Sequence, residues 1–121
     1  MLDKTVVQNI LELLGTMEEA FAYTRDKLEA LEIEATTGVL HDTMEAFLTI
    51  ENSLLFMSPD LAAGRIKQAT DKLRDAFSLI VQNYEEERGY KALEIVRTSL
   101  EPAFRYWKQT LEEELRPYVV S

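Results

Sequence analysis

Apolar residues recur along this chain at the three-and-four spacing of helices, and they mark off four stretches. In the first, Val6, Ile10, Leu13, Met17, Ala20, Thr24 and Leu31 form one row, with Val7, Leu14, Phe21 and Leu28 in a second row beside it. Two adjacent rows make the wide stripe of a bundle helix, broader than the seam of a two-stranded coiled coil. The pattern predicts a helix from about Lys4 to Leu31, with Asp3 as its N-cap. A short connection near Glu32–Thr36 then leads to a second helix, roughly Ala35 to Phe56, with Leu40, Met44, Phe47, Leu48, Ile50, Leu54 and Leu55 inward.

Met57-Ser58-Pro59-Asp60 is the clearest punctuation in the chain. Ser58 is placed to cap the next helix, and Pro59 fits its first turn, where a missing N–H costs nothing. The third helix is expected to run to about Glu86, with Ile66, Ala69, Leu73, Ala76, Phe77, Ile80, Val81 and Tyr84 inward. After a turn at Arg88-Gly89, the fourth turns Leu93, Val96, Leu100, Ala103, Phe104, Trp107 and Leu111 inward and ends at Pro117. Pro102 falls inside it and is expected to kink or split it. Short connections make successive helices antiparallel neighbours. The expected fold is therefore all-α: an up-down-up-down antiparallel four-helix bundle made of two similar helical hairpins, about 4–56 and about 59–116, in a single domain over 1–121.

The halves also answer each other at an offset of 56 residues. Met17-Glu18-Glu19-Ala20-Phe21 corresponds to Leu73-Arg74-Asp75-Ala76-Phe77, and Val39-Leu40 and Met44-Glu45 to Ile95-Val96 and Leu100-Glu101. A duplicated hairpin is the reading this supports. The tandem hairpins, the acidic amphipathic helices and the Met-Glu-Glu-Ala-Phe segment resemble small uncharacterised all-helical proteins of Gram-positive bacteria. That resemblance covers most of the chain and implies the helical fold, but it brings no activity and no site residue with it.

Composition narrows the function classes. The 121 residues suffice for one core, and the four glycines and three prolines suit long helices. Without cysteine there is no disulfide framework, zinc knuckle or thiol nucleophile. No apolar stretch approaches the roughly 18 residues of a membrane span. Met1-Leu2-Asp3-Lys4-Thr5 lacks the pattern of a secretory signal. These features give the expectation of a cytoplasmic protein. The net charge of −9 argues against nucleic acid, whose binding calls for a basic face. That charge is uneven: residues 1–57 hold 11 acidic side chains against Lys4, Arg25 and Lys27, whereas residues 58–121 hold 11 against 10. Either second-half bases face first-half acids inside the bundle, or the first hairpin awaits a basic partner.

Candidate chemistry is sparse. His41 is the single histidine, which excludes the paired Glu-x-x-His motifs of di-iron bundles. A histidine phosphotransfer domain would need a lysine and a small residue shortly after the histidine. Here Asp42, Thr43, Met44 and Glu45 follow, so neighbouring acids would repel a phosphoryl group. Glu51 falls within the apolar face near Phe47 and Met44 and is expected to pair with a cation or tyrosine from the third or fourth helix. The runs Glu85-Glu86-Glu87 and Glu112-Glu113-Glu114 point in successive directions around a helix and do not converge on one ion. No catalytic residue, cofactor or metal is expected.

Apolar residues on outer faces are the better clue. Ile95, Pro102 and Tyr106 lie opposite the core stripe of the fourth helix, with Ser99 beside them. Tyr23 and Leu79 point outward at equivalent positions, and the tail adds Tyr118, Val119 and Val120. A clustered patch of this kind would mark a partner or homodimer surface. The leading expectation is a non-enzymatic protein–protein interaction module, such as an adaptor, regulator or chaperone-like bundle. The alternative is a ligand-binding or phosphotransfer bundle using Glu51 or His41.

Overall fold

The computed structural model describes residues 3–119. Helix α1 spans Lys4–Glu29, and its N-cap is Asp3, whose carboxylate accepts from the Thr5 N–H at 2.8 Å. A 3-10 turn at Ile33–Thr36 leads into α2, Thr37–Met57. Short α3 covers Pro59–Ala62, α4 Arg65–Glu86 and α5 Ala92–Ile95. A π-helical turn at Val96–Leu100 joins α5 to α6, Glu101–Leu115, and a 3-10 turn at Arg116–Tyr118 follows. Helices α1, α2, α4 and the continuous α5–α6 unit form an antiparallel four-helix bundle.

The core is filled from all four helices, by Leu14, Met17 and Phe21, by Phe47, Ile50 and Leu54, by Leu73 and Phe77, and by Phe104, Trp107 and Leu111. On α1 the second predicted row, Val7 through Leu28, lies at the centre of the buried face together with Ile10, Met17 and Thr24. Leu31 is a correction: it stands 90% exposed at φ 62°, because it makes the left-handed turn that ends the helix. Arg88 (φ 53°) and Gly89 (φ 79°) reverse the chain in the same way between α4 and α5. The two reversals touch, since Ile33 packs against the α-carbon of Gly89.

Three further expectations are corrected. Ser58 makes no capping side-chain bond, and the third helix does not run unbroken from Pro59. Ala63 and Gly64 interrupt it: the Gly64 N–H turns back to the Leu61 carbonyl, and Gly64 takes non-helical dihedrals (φ −91°, ψ −131°) before Arg65 starts α4. Pro102, by contrast, marks a disturbance as expected: a π-helical turn at Val96–Leu100 divides α5 from α6 just before it. The ring lacks an N–H and crowds the carbonyl four residues back, and a wider turn relieves that clash. Leu48 and Leu55, expected inward on α2, are 45% and 50% exposed. Of the apolar tail, Tyr118 is exposed and Val119 packs against the core, while Val120 lies outside the described residues, as do Met1 and Leu2.

The duplication is legible in the packing. Buried Ile10, Met17 and Phe21 answer buried Ile66, Leu73 and Phe77 at an offset of 56, as Leu40 answers Val96. Beyond the π turn the match steps to 57, so that Phe47, Ile50 and Leu54 answer Phe104, Trp107 and Leu111. A π turn is one residue inserted into an α-helix, and that single residue accounts for the step.

Candidate functional site

Helix α1 packs closely on α2 and on α6, and α4 on α5–α6, whereas the backbones of α2 and α4 stand further apart. Large side chains span that last seam: Phe47 meets Phe77 with ring centroids 5.4 Å apart, and the Arg74 guanidinium lies 5.3 Å over the Phe47 ring. The gap leaves a line of cavities along the seam. One, of about 310 Å³, lies among Leu40, His41, Met44, Ile80, Val81 and Tyr84. The next, also about 310 Å³, is lined by Met44, Phe47, Leu48, Phe77, Ser78 and Val81. A third, of about 290 Å³, lies beyond Glu51 among Leu54, Leu55, Ala62, Ile66 and Thr70. Together they form a shallow groove with an apolar floor.

The groove has a counterpart. The pseudo-two-fold relation between the hairpins carries the α2–α4 seam onto the α6–α1 seam. There a cavity of about 170 Å³ is lined by Glu18, Phe21, Ala22, Arg25, Glu101, Phe104 and Arg105. Their counterparts are Arg74, Phe77, Ser78, Val81, Met44, Phe47 and Leu48, and every one of them lines the middle of the groove. The aromatic floor is thus the same on both sides, and the walls differ. In the α6–α1 seam Glu101, only 7% exposed, accepts from Arg25 at 2.9 Å and Arg105 at 3.2 Å, so that an ion network walls the seam. In the α2–α4 seam the same three places hold Met44, Val81 and Leu48. No ion network can form there: Leu48 is 45% exposed, and Met44 and Val81 are half-buried.

One polar feature persists in both seams with its signs exchanged. Glu51 pairs with Arg74 across the groove, as Lys108 pairs with Glu18 (3.7 Å) across the other seam. Glu51 therefore has the partner its place in an apolar face demanded, an arginine from the third bundle helix. Arg97 pairs with Glu29 as well, so second-half bases do face first-half acids. The groove rim keeps acidic character: Glu45 is bound by His41 at 3.0 Å, and Glu85 lines the Tyr84 end. Tyr84 itself shares a 2.6 Å hydrogen bond with Thr36, and burial pushes its phenol upward from the ordinary range, with that bond opposing the shift.

The remaining sequence candidates do not assemble into one surface. Ile95 is a correction: it is buried, because residues of a π turn each rotate by less than the 100° of an α-helix. The phase of everything before Val96 therefore shifts, and Ile95 swings inward. Pro102 and Tyr106 are exposed, with Lys72 4.9 Å from the Tyr106 ring. Leu79 is exposed on the neighbouring α4 and lines a cleft of about 360 Å³ with Ile95 and Ser99. Tyr23 lies on the other hairpin beneath Lys27, so it does not join them. His41 is a correction too: read as a possible buried polar residue at the shoulder of the apolar stripe, it is exposed at the rim of the groove with its Nε2 3.0 Å from the Glu45 carboxylate, because its place on α2 is one step outside Leu40. Sequence reasoning missed the groove and the buried Glu101. Their signal was present in the duplication: charged Arg25, Glu101 and Arg105 stand where the other half has Val81, Met44 and Leu48.

Among the described residues no three His, Asp or Glu side chains are grouped to hold a metal ion, and no helix is long and apolar enough to cross a membrane. The family model described as Domain of unknown function (DUF8042) matches residues 5–110, which takes in both hairpins, and the chain belongs to that family. No curated protein and no solved structure matches the chain.

Proposed function

We propose that this member of the family is a non-enzymatic protein–protein interaction module that receives an amphipathic helix of a partner in the α2–α4 groove. The observation that carries the reading is the contrast between two related seams on one chain. Both have the same buried aromatic floor, yet one is walled by an Arg25–Glu101–Arg105 network and the other by Met44, Leu48 and Val81. Leaving those side chains wet sacrifices burial free energy at about 25 cal/mol per Å². A docked helix recovers that term by excluding water from the groove. The absence of cysteine suits a reducing compartment, so the reading places the module in the cytoplasm.

A photo-activated cross-linker placed at Leu48 tests the proposal. It should capture one protein through a helical segment, while the same cross-linker at the counterpart position, Arg105, should not. Equal capture at both positions would remove the groove as the docking surface.

A further inference from the structure

We infer that the helix received by the groove is basic and belongs to another protein rather than to a second copy of this chain. The inference rests on the docking role proposed above and adds the chemistry of what docks. From Leu40 to Leu55 the groove follows about 22 Å of α2, the length of about four helical turns. Its apolar floor is crossed once, by the Glu51–Arg74 pair, so the occupant must bring an apolar stripe at i, i+4 and i+7 spacing to the stretches on either side. Toward the Leu55 end, Glu51 and Arg74 neutralise each other and ask for no charge from the occupant.

The rim at the Tyr84 end does ask for one. Glu85 is the counterpart of Glu29, which in the closed seam is met by Arg97. The residue in Arg97's place is His41, and it binds Glu45 on its own helix instead of reaching Glu85. An acidic position that is satisfied within the chain on one side is therefore left for an outside cation on the other. Lysine or arginine flanking the apolar stripe of the occupant supplies it, and the net charge of −9 favours the encounter. A second copy fits poorly by the same reasoning. A second copy brings the same net charge of −9 to the encounter, and like charge opposes the approach.

Binding of synthetic helical peptides of about 18 residues to the full chain tests this by fluorescence anisotropy. All peptides carry one apolar stripe, flanked by lysine, glutamine or glutamate. The lysine peptide should bind tightest and the glutamate peptide weakest. The lysine-over-glutamine preference should be about tenfold, shrinking in salt and in the Glu45→Gln/Glu85→Gln variant. The variant Met44→Glu/Leu48→Arg/Val81→Arg, which copies the closed seam, should lose all binding while keeping its helical circular dichroism. Leu48→Glu, at a site already half exposed, serves as a second variant should the triple one fail to fold, and it too should lose binding. If glutamine and lysine peptides bind alike, the basic character is wrong and the groove stands. If no peptide binds, or binding survives Leu48→Glu, the groove itself falls. A concentration-dependent dimer in sedimentation that Leu48→Glu abolishes would overturn the inference in favour of a second copy.

Discussion

Phe21 and Phe77, equivalent residues of the two hairpins, face each other at the centre of the bundle with ring centroids 6.1 Å apart. The approximate two-fold axis runs between them. Phe104 lies against Phe21 at 4.7 Å, and its counterpart Phe47 lies against Phe77 at 5.4 Å. Four rings related in this way tie the hairpins together, and tilted aromatic pairs contribute about 0.5–1.5 kcal/mol each beyond the area they bury. The same relation ranks the two seams beside it, one closed by charges and one left apolar.

The π turn is the first feature that can be tested on its own. Because α2 follows the same core without such a turn, deleting Ser99 while replacing Pro102 by alanine should give a regular α-helix with both flanking faces still on the core. Thermal unfolding should shift by only a few degrees, roughly the equivalent of 1 kcal/mol. Deleting Ser78 from the regular α4 rotates half of its stripe out of the core and should prevent cooperative folding. Loss of folding in both deletions would show that the extra residue is not a local insertion.

The Glu101 network makes a second prediction. Glu101→Met alone leaves Arg25 and Arg105 without their carboxylate and should cost about 1–3 kcal/mol, since both arginines can turn toward water. Adding Arg25→Val and Arg105→Leu reproduces the walls of the groove and should restore the loss, because the buried Glu101 carboxylate and its partners are then replaced together by apolar groups. Urea unfolding followed by the fluorescence of Trp107 reads both. A triple variant no more stable than the single one counts against the equivalence of the seams.

Gly89 holds a left-handed φ of 79° and gives room to Ile33 from the other hairpin. Gly89→Ala should therefore destabilise by about 1–2 kcal/mol from the backbone alone. Trimming the neighbour in Gly89→Ala/Ile33→Val should recover only the part due to contact. Full recovery would assign the cost to packing and none to the backbone.

Alkaline pH supplies the fourth prediction. Burial raises the Tyr84 phenol above the ordinary 10.0, so folding favours its protonated form. The stabilising contribution is complete below the unfolded value and fades as the pH climbs through the folded one. The difference in phenolate absorbance between the native protein and Tyr84→Phe isolates this group, and its midpoint should lie above 10.0. A midpoint at or below that value would contradict burial as the dominant cause.

Much of the fold was readable from local pattern. Asp3 caps α1, the reversal falls at Arg88-Gly89, and α4 ends at Glu86 as its periodicity implied. Glu51 was recognisable as an acid needing a cation, because an apolar face makes an unpaired carboxylate costly. Ile95 was misplaced for an equally local reason: a wheel drawn at 100° per residue has no means of registering a π turn. The companion of Pro102, which announced a disturbance, was the change of offset from 56 to 57 between Phe21/Phe77 and Phe47/Phe104.

The sequence by itself determined the helices, their stripes and the pairing of two related hairpins, since each follows from spacing and side-chain type over a turn or two. Which seam would close was decided by the tertiary structure. Met44, Leu48 and Val81 read on a wheel as ordinary stripe-edge residues. They line a groove only because α2 and α4 are held apart by Phe47, Phe77 and Arg74, side chains that meet across the bundle. The distance between two helices depends on both surfaces at once, and periodicity along one of them carries no record of it.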